Sequence, residues 1–115
     1  MALMKMPCAV GTGGDYLEYD FDPTVTISGS NPTTIETLGK VSKVYVGVVR
    51  KQTISDKAGI RLKGDNTVIA TMGSDDTYIM GTYDTSAYSS VTIELYSQNG
   101  NNSPSGKFDG FVLYK

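Results

Sequence analysis

The side chains that could carry out chemistry in this chain are hydroxyls and carboxylates, because its 115 residues include no histidine, no tryptophan and only one cysteine. Without histidine, the chain lacks the usual proton acceptor near neutral pH and the commonest ligand of zinc, copper and iron. Serine and threonine hydroxyls need a base to act as nucleophiles, and no Ser-x-x-Lys motif supplies one. The composition therefore argues against nucleophilic catalysis.

Carboxylates leave two further kinds of chemistry open, glycoside hydrolysis by an acid pair and calcium binding. Glu94 lies on the polar side of a predicted strand, where a carboxylate is usually solvated. The predicted turns and loops contain Asp56, Asp65, Asp75 and Asp84, but no spaced EF-hand loop. Aspartate in a β-turn typically bonds to its own backbone. We therefore expect no enzyme activity, no metal and no cofactor.

Apolar and polar residues alternate along most of the chain, which is typical of half-buried β-strands. The inward-facing sets are predicted to include Leu17/Tyr19/Phe21, Val44/Val46/Val48, Ile60/Leu62 and Val91/Ile93/Leu95, and Phe111 and Leu113 share one face. Helical periodicity is absent, and at most a short helical turn is expected near residues 55–58. Turn signals recur at the spacing of a sandwich or barrel. The sequence predicts an all-β, antiparallel two-sheet β-sandwich of the jelly-roll kind, with about eight strands, in residues 15–115.

Residues 1–14 end in Gly-Thr-Gly-Gly, a composition typical of a flexible linker. Apolar Met1, Leu3, Met4 and Met6 precede it, which fits either a frayed terminus or an arm that packs on a neighbouring subunit. We predict a flexible or subunit-swapped N-terminal arm and name these four residues as interface candidates.

Charge and hydropathy restrict the partners and the location. The net charge is −2 and the pI is about 4.9, whereas nucleic-acid binding needs a basic surface. The N-terminal residues are too short for the apolar region of a signal peptide, and no run approaches the length of a membrane span. We expect synthesis in the cytoplasm without a signal peptide, and no nucleic-acid or membrane partner.

Tyrosine is the residue type best suited to recognition here, with eight copies. A tyrosine ring offers apolar area and a hydroxyl, which suits both protein interfaces and sugars. Tyr45 and Tyr96 are expected on polar strand faces and are candidates for subunit contact. Two groups of loop residues are candidates for a ligand site. The first is Tyr83, Asp84 and Tyr88, and the second, expected opposite it, is Asn99, Asn101 and Asn102. Ordinary surface tyrosine remains the alternative to both roles.

Two resemblances bear on function. The lead-in Pro7-Cys-x-x-Gly-Thr-Gly-Gly and the ending Lys107-Phe-Asp-Gly-Phe-Val-Leu-Tyr-Lys, together with Thr/Ser/Tyr/Gly-rich strands, resemble small virion proteins of bacteriophages and prophages. That resemblance implies a β-sandwich that decorates a head or forms a tail-tip or fibre module, commonly as a trimer or hexamer. The runs 91–95 and 108–113 are similar to jelly-roll carbohydrate-binding modules, although the tryptophan of their sugar platforms is missing.

The sequence thus predicts a non-enzymatic structural protein that self-associates, with a trimer favoured, as a phage or prophage virion component. Its partners would be further copies, other virion proteins or a surface glycan. The alternative is a carbohydrate-binding or adhesion module of the jelly-roll type.

Overall fold

Alternating apolar residues form the strands of this protein, whose computed structural model describes residues 15–115. The predicted arm, with Met1, Leu3, Met4 and Met6, lies outside the described residues, as does Cys8. The strands are β1 (Leu17–Phe21), β2 (Ile27–Ser28), β3 (Thr33–Gly39), β4 (Lys43–Ser55), β5 (Ala58–Gly64), β6 (Thr67–Thr71), β7 (Tyr78–Asp84), β8 (Val91–Ser97) and β9 (Ser105–Tyr114). Residues 15–115 include no helix, and hence none that could cross a membrane.

The strands form two antiparallel sheets that pack face to face. Sheet A has the order β1-β9-β4-β7, with β2 also paired to β9, and sheet B has the order β3-β8-β5-β6. Apart from the two-residue β2, the pairs are nested along the chain, with β1 on β9, β3 on β8, β4 on β7 and β5 on β6. This nesting is the double Greek key of a jelly roll. The predicted two-sheet β-sandwich is confirmed.

The core lies between the sheets and includes most of the predicted inward-facing residues, together with Phe108 and Val112 of β9, which were not among them. Val44, Val46 and Val48 of β4 are at most 3% exposed. The core also includes Phe21, Ile60, Leu62, Ile93, Leu95, Phe108 and Val112. Leu17 has the inward phase of Phe21, yet it is 63% exposed because it starts β1 at the end of the sheet, opposite Tyr114.

The connection between β4 and β5 differs from the expectation of a short helical turn. Asp56 and Lys57 form a two-residue hairpin turn with φ angles of 52° and 42°. Positive φ at both positions gives a type I′ turn, whose twist matches that of the flanking strands. The carboxylate of Asp56 also accepts a hydrogen bond from the backbone N–H of Ser103 at 2.8 Å, which fixes the turn on the loop before β9.

Candidate functional site

The outer face of sheet A carries large apolar side chains that remain exposed. In the register of the sheet, Gly47 lies between Met80 and Phe111, and Val49 lies opposite Tyr78. Successive strand residues point to opposite faces, so these side chains point away from the core that Val46 and Val48 enter. The exposed fractions are 72% for Met80, 57% for Tyr78, 41% for Phe111 and 39% for Val49. We call Val49, Tyr78, Met80 and Phe111 the apolar patch.

The end of this face near the start of β1 is closed by two tyrosines. The rings of Tyr16 and Tyr45 meet edge to face, with their centroids 5.3 Å apart. Their hydroxyls are 3.5 Å apart, and the Lys115 ammonium lies 4.8 Å from the centroid of Tyr16. The hydrogen bond with Tyr16, and secondarily burial, raise the pKa of Tyr45. Tyr45, an interface candidate from the sequence, therefore lies on the same face as the patch.

Two carboxylates border the patch. Asp20 is the β1 partner of Phe111, and Asp109 is the β9 partner of Val49. Both residues are exposed, and both have the outward phase of their partners. Lys107 has the same outward phase as Asp109, two positions earlier on β9, so charges of both signs lie near the patch and the two carboxylates are the direct strand partners of its residues.

The outer face of sheet B has the opposite character. Arg61 Nε donates to Glu94 Oε1 at 2.9 Å, and Lys63 Nζ lies 3.9 Å from Glu94 Oε2. The Arg61 guanidinium lies 4.7 Å from the centroid of the Tyr96 ring, and the Tyr96 hydroxyl donates to the Met72 carbonyl. Tyr96, the other tyrosine proposed for an interface, is thus engaged in a polar network on the face opposite Tyr45.

The first group of candidate ligand residues surrounds the loop from β7 to β8. Tyr83 and Tyr88 are partly buried against the core. Asp84 Oδ1 accepts hydrogen bonds from the Ser86 N–H at 3.0 Å and the Ser86 hydroxyl at 2.7 Å. These bonds, the backbone one first, hold the pKa of Asp84 below its usual value. One carboxylate oxygen of Asp84 is therefore engaged within its own loop.

The second group, with Asn99, Asn101 and Asn102, lies in the loop from β8 to β9. Asn99 Oδ1 accepts from the Ser97 hydroxyl at 2.6 Å, and the Asn101 carbonyl accepts from Asn31 Nδ2 at 2.8 Å. The seven residues of β8 separate this loop from the first group, which amounts to about 20 Å of extended chain. The structure does not bring the two groups together.

Sequence reasoning missed most of the apolar patch. Phe111 was expected to share a face with Leu113, and it does; the structure adds that this face is the outer one. Val49 directly follows the inward-facing Val48, and two consecutive valines in an alternating strand indicate that one of them points outward. Tyr78 and Met80 gave no such signal before the register with β4 was known.

Residues 15–115 contain no group of three or more acidic, histidine or cysteine side chains that could hold a metal ion. Comparisons of the chain with protein-family models, with curated proteins and with solved structures find no match. The apolar patch is the feature of the described surface that most specifically indicates a partner.

Proposed function

We propose that this protein is a non-enzymatic structural protein that self-associates, with a trimer favoured, and that it serves as a component of a phage or prophage virion. The observation that carries the proposal is the apolar patch on the outer face of sheet A. Its four side chains come from three neighbouring strands, β7, β4 and β9, so they form one surface rather than scattered exposed residues.

An antiparallel sheet of a sandwich commonly buries one face and presents polar residues on the other. Sheet B follows this rule, with Arg61, Lys63 and Glu94 on its outer face. Sheet A departs from it. A contiguous apolar surface of this kind on a soluble domain marks an interaction site, and interface centres favour aromatic residues and methionine. Tyr78, Met80 and Phe111 have that composition.

The jelly-roll topology and the resemblance to small virion proteins support the virion part of the proposal. Jelly rolls recur in capsid domains but also in lectins, so the fold alone does not choose a function. The carbohydrate-binding alternative receives less support, because its two groups of loop residues lie at opposite ends of β8. In addition, Oδ1 of Asp84 and Oδ1 of Asn99 each accept hydrogen bonds from nearby serines.

Self-association is tested by light scattering after size-exclusion chromatography on the full chain, whose single copy has a mass of 12.3 kDa. We expect a mass of about three copies, and a lower mass for Met80→Asp, because the substitution places a charge in the contact. The matched control is Val68→Asp, at a 45% exposed valine on β6 of sheet B, which leaves the mass unchanged. A single-copy mass for the unsubstituted chain at every concentration would overturn the proposal.

The virion assignment is tested separately. Particles are purified on a density gradient from a culture that produces the chain naturally, and their proteins are identified by mass spectrometry. We expect peptides of this chain in the particle fraction at a constant ratio to the other particle proteins. Their restriction to the soluble fraction would refute the assignment and leave self-association standing.

A further inference from the structure

We propose that the apolar patch on sheet A is the docking site for residues 1–6 of a second copy of this chain. The inference rests on the proposed self-association and names the two surfaces that meet. Three observations carry it: the chemistry of the segment, the charge beside the patch, and the direction in which the chain enters β1.

The segment matches the patch in apolar character. Residues 1–6 include three methionines and one leucine, at Met1, Leu3, Met4 and Met6. Methionine side chains are unbranched and polarizable, so they adapt to an irregular apolar surface and make favourable contacts with aromatic rings. The patch offers the rings of Tyr78 and Phe111 and the side chain of Met80. The segment and the patch are therefore alike in apolar character.

The charge of the segment is complementary to the two acidic residues that are paired with patch residues. Lys5 is the only charged side chain among residues 1–6. The patch is bordered by the exposed carboxylates of Asp20 and Asp109. A lysine beside these groups gains a favourable interaction, and such rim charges mainly set the orientation of a partner and the rate of its association.

The direction of β1 favours a second copy over the same chain. The strand runs from Leu17, opposite Tyr114, to Phe21, opposite Gly110, so it advances toward the patch. Asp15 and Tyr16, the described residues before Leu17, therefore lie at the end of the sheet away from the patch. Docking on the same copy would require the chain to reverse its direction and run back over β9 and β4 to reach Met80 and Tyr78 on β7.

The length of the connection allows a neighbouring copy to be reached. Met6 and Tyr16 are ten positions apart, which corresponds to a reach of about 33 Å when the chain is extended. The Gly-Thr-Gly-Gly sequence at positions 11–14 lies within this connection, and glycine imposes little restriction on its path. When identical copies exchange the same segment, the oligomer forms from a segment and a surface that every copy already has.

The test uses Cys8, the single cysteine of the chain, as a reporter of where the segment lies. Full-length chains carrying both Cys8→Ser and Met80→Cys are mixed with unsubstituted chains, allowed to exchange, and oxidised. Met80 is 72% exposed, so its substitution leaves the core intact. We expect disulfide-linked peptides joining Cys8 of one chain to position 80 of the other, because a disulfide requires Cα atoms within about 7 Å. The matched control carries Cys8→Ser and Val68→Cys and gives no such link.

The outcomes separate this inference from the proposed function. A second arm uses the single variant Met80→Cys with Cys8 retained: a link within one chain, and none between mixed chains, overturns docking on a second copy. An oligomer by light scattering without any link to position 80 overturns the docking site but leaves self-association intact. A single-copy mass overturns both. As a further check, Met4→Asp/Met6→Asp lowers the oligomer mass, whereas Met4→Leu/Met6→Leu preserves it.

Discussion

The Phe111 ring lies over Gly47 on the outer face of sheet A, where a Cβ atom at position 47 would meet the ring Cζ at 3.6 Å. That distance is an ordinary van der Waals contact, so the ring rests close above the backbone of the neighbouring strand. The absence of a side chain at Gly47 therefore lets the Phe111 ring cover the middle of the face, next to Met80 on the other side of β4.

The two phenylalanines of β9 on opposite faces should respond very differently to truncation. Phe108 is fully buried and Phe111 is 41% exposed. We expect Phe108→Ala to lower the free energy of unfolding by about 3–5 kcal/mol and Phe111→Ala by about 1 kcal/mol, in urea denaturation of dilute protein. Phe111→Ala should instead reduce the oligomer mass. Equal losses of stability would show that Phe111 belongs to the core and not to an interface.

Among the glycines of residues 15–115, Gly110 should be the least replaceable. Its φ is +133°, and a Cβ atom there would collide with the Gly47 carbonyl oxygen. Gly39 is the matched control, since its φ is +80° but no atom lies within 4 Å of a Cβ. We expect Gly39→Ala to cost about 1–2 kcal/mol from backbone strain alone, and Gly110→Ala to cost clearly more because the clash adds to it. Similar denaturation midpoints for the two variants would contradict this account.

The ion pairs Arg61–Glu94 and Lys57–Asp75 should contribute differently to the free energy of unfolding, because they differ in burial. The Glu94 side chain is 10% exposed beside Arg61, whereas the Asp75 side chain beside Lys57 is 96% exposed. We expect Arg61→Ala to lower the free energy of unfolding by about 1–3 kcal/mol, because a buried carboxylate loses its hydrogen-bonded partner. Lys57→Ala should change it by less than about 0.5 kcal/mol. An equally small effect of Arg61→Ala in urea denaturation would show that Lys63 alone suffices for Glu94.

The sandwich could be predicted because its core strands alternate clearly. In β4 and β8, alternate positions on one face are valine, isoleucine or leucine, so the period of two identified both the strands and their buried faces. In β9 both faces carry large apolar residues, with Phe108 and Val112 on one and Phe111 and Leu113 on the other. Alternation then shows which residues share a face but not which face is buried, because that depends on the other sheet.

The candidate site was harder to predict because it is assembled from strands distant in sequence. Val49, Tyr78 and Phe111 become neighbours only through the pairing of β4 with β7 and β9. The separation of the two loop groups, in contrast, was available from the sequence. Loops that flank a single strand must lie at its opposite ends, and the predicted strand at residues 91–96 stands between Tyr88 and Asn99.

The Asp56–Lys57 turn lacked the Asn-Gly signature of its type, so a local pattern could not specify it.

Asp84 should titrate below the ordinary range of an aspartate, and Ser86 should be the reason. The Ser86 N–H and hydroxyl both donate to Asp84 Oδ1, which lowers the pKa of this carboxyl. A lowered pKa means that the folded state favours the ionised form. The resulting stabilisation is therefore present above the unfolded-state value of about 3.9 and is lost as the pH falls through the folded-state pKa.

Ser86→Ala removes the hydroxyl donor and keeps the backbone donor, so we expect the pKa of Asp84 to rise part of the way toward its usual value. Carboxyl carbon shifts followed by NMR from neutral pH to acid measure it directly. Ser89→Ala is the matched control, since the Ser89 N–H bonds instead to Asp65 at 3.1 Å, and it should leave the titration of Asp84 unchanged. If Asp84 titrates identically in both variants, the hydroxyl does not hold the carboxylate, and that group is available to a ligand after all.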